Sequence, residues 1–236
     1  MKKIETIWHH LLNIALTKKE FKHTQKDLAL KFGYSLSTVN HALAIPAQIG
    51  AVRKSSKFFL LSDFWKLLYF WASLRNLEKD IIYQTRIEAT INELEGLIPS
   101  QAIYAGYSAA NRMLKEPPAD YSKVYFYADK EKLNEVLKRF PPVQKPKAEN
   151  KLPPAYAGRY FELLASRGRT TYSPRFTQKD LRSQYNLFVL TKNPQIPCPK
   201  GFTTLPLTFV DIWNFKDWYS KDFILALEER IHGILS

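Results

Sequence analysis

The chain has 236 residues, 45% of them hydrophobic and 14% aromatic, which excludes a disordered chain and supplies a core for two modules of ordinary size. One cysteine, Cys198, excludes an intramolecular disulfide framework and a thiolate zinc site, and fits a reducing cytoplasm. The 35 basic against 22 acidic residues leave a formal charge of +13, and residues 1–80 hold 13 basic against 6 acidic, an excess of seven that points to a polyanionic partner such as nucleic acid.

At the start of the chain Lys2 and Lys3 precede Glu5, Thr6, His9 and His10, which break the apolar run of a signal peptide, so no targeting segment is expected. Ile4, Ile7, Trp8, Leu11, Ile14 and Ala15 recur at spacings of three and four and predict an amphipathic helix. Thr24, with Asp27 three residues on, predicts the cap of a second helix whose apolar face is Leu28, Ala29 and Phe32 and which Gly33 stops. Ser35 is placed to cap a third helix, Ser35 to Ala44, whose Val39 and Leu43 face the first two. Ile49 to Val52 and Phe58 to Leu61 read as short strands around the polar turn Arg53-Lys54-Ser55-Ser56-Lys57.

The residues Thr24 to Ala29, Gly33, Ser35, Thr38, Val39 and Leu43 resemble the helix-turn-helix of bacterial and archaeal transcription factors, and the hairpin after them resembles the wing of a winged helix. The resemblance implies that Leu36, Ser37, Asn40 and His41 face base edges of duplex DNA, while Ser35 and Thr38 touch phosphates. Arg53, Lys54 and Lys57 at the wing are expected to neutralise phosphates or enter a minor groove. The helix lacks an Arg or Gln for bidentate readout, so one copy alone is expected to discriminate poorly. The competing reading of the same residues is a small interaction domain with solvated basic side chains.

Asp63 is expected to cap a helix, Phe64 to Leu74, that is apolar on nearly every side and must be covered by the first module and by a second domain or subunit. It contains Lys66 and falls far short of the roughly 20 apolar residues of a membrane span, so a soluble cytoplasmic protein with no membrane partner is expected. From residue 81 the pattern alternates. A helix marked by Ile87, Ile91, Leu94 and Ile98 is followed by a strand Ala102 to Ala105, a helix Gly106 to Leu114, a strand Val124 to Tyr127 and a helix Lys130 to Phe140. Five prolines between Pro141 and Pro154 predict an extended excursion, and later come strands Asn186 to Leu190 and Leu205 to Ile212 and a helix Trp218 to Ile234.

The order helix, strand, Gly-x-Ser turn, helix, strand, with Ala105-Gly106-Tyr107-Ser108 at the turn, is similar to the core of nucleotidyltransferases. That family carries a carboxylate pair on its next strand to hold two metals, whereas Ser122 to Tyr127 carries none and Asp211 alone cannot replace it. The expectation is therefore a degenerate domain with no catalytic residues, metal or cofactor, and the alternative is a divergent nucleotidyltransferase acting on nucleic acid. Pro206 to Asn214, with Asp217-Trp218-Tyr219, Asp222-Phe223 and Leu227, looks like the closing strand and helix of AbiEi-type antitoxins, DNA-binding members of abortive-infection systems. That resemblance implies an autorepressor acting as a homodimer on DNA, with a cognate toxin or another protein as partner. Trp213, Trp218 and Tyr219 are read as packing of the last helix, and the basic aromatic stretch Arg159, Tyr160, Arg167, Arg169, Tyr172 and Arg175 as a further nucleic-acid contact or a solvated loop.

The fold class expected is thus α+β. A winged helix-turn-helix over residues 1–62 and a connecting helix over 63–80 precede a mixed α/β, nucleotidyltransferase-like domain over 81–236 with its proline-rich excursion at 141–154.

Overall fold

The computed structural model describes residues 1–114, 116–142, 185–198 and 200–236. Most of the proline-rich excursion, from residue 143 onward, and all of the basic aromatic stretch at 159–175 lie outside the described residues. Over the described residues the chain is mixed α+β with two small sheets.

The first half contains helix α1 (Lys3–Lys18), strand β1 (Lys22–His23), helices α2 (Gln25–Phe32), α3 (Leu36–Ala42) and α4 (Ala44–Gln48), strands β2 (Val52–Lys54) and β3 (Phe59–Leu61), and helix α5 (Phe64–Leu74). Local chemistry sets these boundaries. The Thr24 hydroxyl accepts the Asp27 N–H at 3.1 Å and donates to the Asp27 carboxylate at 2.7 Å, so α2 begins where the capping pair stands. Gly33 ends it in the left-handed region at φ +64°, where any side chain is strained although the space beside it is open. The Ser35 hydroxyl accepts the Thr38 N–H at 3.2 Å and starts α3, and Asp63 accepts the Lys66 N–H at 2.9 Å and starts α5. The three strands pair antiparallel in the order β1-β3-β2, with Lys54 opposite Phe59 at the closed end of the β2–β3 hairpin.

The second half holds β4 (Ile81–Thr85), α6 (Ile91–Leu97), β5 (Ile103–Ala105), α7 (Gly106–Met113), β6 (Val124–Ala128), α8 (Leu133–Arg139), β7 (Leu187–Thr191), α9 (Leu205–Trp213) and α10 (Ser220–Leu235). Its sheet runs β4-β7-β6-β5, with β6 and β7 parallel and the two outer pairs antiparallel. Alternation along the strands divides two cores. Val124, Phe126, Leu187 and Val189 pack with Leu94 of α6 and with Val136 and Phe140 around α8. Tyr125, Tyr127, Phe188 and Leu190 face the other way, into a core shared with α7, α9 and α10.

That second core continues without a break into the first half. Helix α5 supplies the join. Phe64, Leu67, Leu68, Trp71 and Ala72, spaced by three and four, are buried against α1 and α9. Tyr69 donates to Glu228 of α10 at 2.6 Å, and the Trp65 ring lies 4.4 Å from that of His232 on the same helix. The apolar helix is therefore covered within one chain, each buried Leu contributing about 1.5–3 kcal/mol.

Several expectations change. Leu205 to Ile212, expected as a strand, is helix α9, with a proline in its first turn and every residue from Pro206 to Ile212 buried. A segment buried on all sides has no amphipathic period, and its alternating β-branched residues imitate a strand. The helix expected from Ile87 starts only at Ile91, behind a capping box of Thr90 and Glu93, and strand β4 precedes it. The final helix begins at Ser220 rather than Trp218. Trp218 sits in the turn ahead of it and is 82% exposed, so it is no part of the core, whereas Tyr219 is buried. The short β1 and α4 had no expected counterpart.

Candidate nucleic-acid interface

The inner face of α3 is fixed. Val39, Ala42 and Leu43 have no exposed surface, and the Trp8 indole of α1 donates to the Ala42 carbonyl at 2.7 Å. Holding one face in this way leaves the other free. Leu36, Ser37, Asn40 and His41 are all exposed, and offsets of one, four and five residues place them on one stripe of the helix.

Arg53, Lys54, Ser55, Ser56 and Lys57 are exposed along the β2–β3 hairpin, whose turn is closed by the Ser55 N–H on the Phe58 carbonyl at 2.8 Å. The Lys22 ammonium lies 4.2 Å from the centre of the Phe58 ring and steadies the base of that turn. The hairpin reaches α3 directly: Lys54 Nζ donates to Asn40 Oδ1 at 2.9 Å. Two groups of expected contacts are thereby brought together, a helix residue assigned to bases and a hairpin residue assigned to phosphates. Ser35 and Thr38 are also joined, their hydroxyl oxygens 2.9 Å apart within the cap of α3.

A residue that sequence reasoning passed over holds this corner from behind. Gln195, in the loop after β7, donates from Nε2 to the Phe32 carbonyl at 2.9 Å and accepts from the Tyr34 hydroxyl. Asn193 donates to Thr6 at 3.2 Å, and His9 Nε2 lies 2.7 Å from the Thr204 hydroxyl. Burial, and then the neighbouring His10, push the His9 imidazole down to about 3, so it stays neutral at this junction.

The second half was expected to carry a Gly-x-Ser turn and one strand carboxylate. Gly106 has φ +53°, but a Cβ placed there would lie 2.5 Å from the Phe215 ring. Tyr107 is fully buried among Tyr121, Phe215, Tyr219 and Phe223, and the Ser108 hydroxyl is buried without a partner. Aromatic rings thus fill the turn that resembles a phosphate loop. Strand β6 is buried along its whole length and carries no acid.

Asp211 lies on a helix, not on a strand. It is fully buried beside Arg75, 3.4 Å from Nε, and accepts from the Tyr127 hydroxyl at 2.7 Å. Arg75 also bonds Asp80 at 2.5 Å, Glu5 at 3.2 Å and the Tyr127 hydroxyl at 3.1 Å, and the Met1 amino group meets Asp80 at 2.7 Å. Burial raises the Asp211 carboxyl to about 6, with Arg75 and Tyr127 acting against the rise. The cluster joins α1, the end of α5, β6 and α9 around an internal guanidinium, so its chemistry is that of a buried ion network. Among the described residues no group of three or more His, Cys, Asp or Glu side chains is arranged to hold a metal, and no helix is long and apolar enough to cross a membrane. Compared with family models, curated proteins and solved structures, the chain matches none.

Proposed function

We propose that the chain is a DNA-binding regulator of transcription, an antitoxin-like autorepressor whose residues 1–62 act as a winged helix. Helix α3 enters the major groove, with Leu36, Ser37, Asn40 and His41 toward base edges, and Arg53 and Lys57 of the hairpin meet phosphates. The second half then serves to join two copies on one duplex or to dock a cognate toxin. The observation that carries this reading is the division of α3 into a locked face, tied to α1 by Val39, Leu43 and the Trp8–Ala42 bond, and an exposed face reached by the hairpin through Lys54. A helix is the element a major groove accommodates, and its base-reading side chains are useful only when the backbone beneath them is held. The excess of seven positive charges in residues 1–80 supplies attraction to phosphate.

The test is fluorescence anisotropy of the full chain with labelled duplex DNA over a salt series. Binding that weakens steeply and log-linearly with salt is expected. Binding absent at low salt, or indifferent to salt, refutes the proposal.

A further inference from the structure

Resting on the DNA-binding reading, we propose that Asn40 and Lys54 form a single guanine-reading pair, in which a hairpin lysine acts on a base rather than on the backbone. The argument begins with the direction of one hydrogen bond. An ammonium has donors only, so the contact at 2.9 Å fixes the Asn40 amide with Oδ1 toward Lys54 and leaves Nδ2 as its remaining donor end. Asparagine reads adenine by using both ends at once, Oδ1 accepting from N6 and Nδ2 donating to N7. Here Oδ1 is engaged by a cation, and an adenine amino group brought to its remaining lone pair would meet the Lys54 ammonium, donor against donor. Guanine presents the opposite edge. Its N7 and O6 are both acceptors, and the pair offers two adjacent donors, Asn40 Nδ2 and Lys54 Nζ.

The surroundings support this use. Asn40 shares its exposed stripe with Leu36, Ser37 and His41, and α3 has no arginine to supply bidentate guanine readout. Lys54 precedes the turn of the hairpin, while Lys57 stands within that turn, so the two lysines have different reach. Discrimination that the helix lacks in its own sequence is thereby assembled from two elements.

The experiment selects duplexes from a randomised library with the full chain at low salt, using wild type, Asn40→Ala, Lys54→Met and the double variant. Both side chains are exposed, so the variants keep the fold, which unchanged urea midpoints verify. Wild type is expected to enrich guanine at one position of each site, and either variant to lose that preference by roughly tenfold or more, with no further loss in the double variant. Replacing that guanine by 7-deazaguanine weakens wild type and leaves the variants unaffected. Three outcomes overturn the guanine pair while leaving DNA binding intact: no base enriched at any position, adenine enriched and retained by Lys54→Met, or a uniform loss across all sequences in Lys54→Met with a flatter salt dependence. If wild type retains no duplex at all, the DNA-binding reading fails and the guanine pair falls with it.

Discussion

Asp211→Asn isolates the energetics of the buried ion network. Three carboxylates, from Glu5, Asp80 and Asp211, face the Arg75 guanidinium, and the Asp211 side chain has no exposed surface. Its carboxyl is raised from an ordinary 3.8 to about 6, first by burial. A folded pKa above the unfolded one means that the folded chain holds this proton more tightly. The resulting stabilisation is complete below pH 3.8 and is lost as pH rises through 6. A shift of about two units corresponds to about 3 kcal/mol. Asparagine does not titrate but keeps an oxygen for Arg75 or Tyr127. The unfolding free energy of the variant minus that of wild type is therefore expected to grow by about 2 kcal/mol between pH 4 and 7, in favour of the variant. Subtracting the two curves matters, because His9 acts in the same window with the opposite sign and cancels in the difference. Urea unfolding followed by tryptophan fluorescence at closely spaced pH values gives both curves. Parallel curves, or a difference that grows toward acid instead, would refute the assignment.

Other outcomes follow from the same geometry. His9, depressed to about 3, contributes stability that is present above pH 6.5 and lost as pH falls, about 5 kcal/mol over the whole window. His9→Gln should therefore flatten the fall of the urea midpoint between pH 6.5 and 4, and an unchanged slope contradicts this. Gly33→Ala meets open space at positive φ and should cost about 1 kcal/mol, whereas Gly106→Ala adds a clash with Phe215 and should cost clearly more. Equal urea midpoints for the two variants would count against that comparison. Arg53→Ala and Lys57→Ala should each weaken binding to all duplexes alike and reduce the salt slope by roughly 0.9, checked by anisotropy. Sedimentation with footprinting should find two protomers on repeated half-sites about one helical turn apart or a multiple of it, and one protomer on an unrepeated site would sink the two-copy reading.

What could be read in advance was chemistry confined to neighbours in the chain. Thr24, Ser35 and Asp63 each bond an N–H three residues away, so the starts of α2, α3 and α5 needed no tertiary information. Helix α9 reads as a strand in the sequence because burial on every side removes the solvent-facing positions that reveal a period. Trp218 reads as a core position in the sequence, and moving the start of α10 by two residues makes it an exposed turn position. The spacing of Val39 and Leu43 marks the buried face of α3, and its exposed stripe is what the resemblance to a helix-turn-helix implies. The stripe's link to Lys54, 14 residues away, and the Gln195 contact, more than 160 residues away, were not legible, since nothing local distinguishes a lysine or glutamine that finds a distant partner.

The way α1 and α5 are covered also governs the order in which the chain is completed as it is made. His9 waits for Thr204, Thr6 for Asn193, and the apolar side of α5 for α9 and α10, so α1 closes with partners more than 180 residues downstream and α5 with partners more than 130 residues downstream. At ribosomal speeds of about 5–20 residues per second, the stretch between α5 and α9 takes on the order of ten seconds to synthesise. Throughout that interval α5 lacks α9, on whose Phe209 and Trp213 its Tyr69 packs in the finished chain. Nascent α5 is thus the segment a holding chaperone meets, and replacing codons between α5 and α9 with slow ones lengthens its exposure without altering one residue of the finished protein.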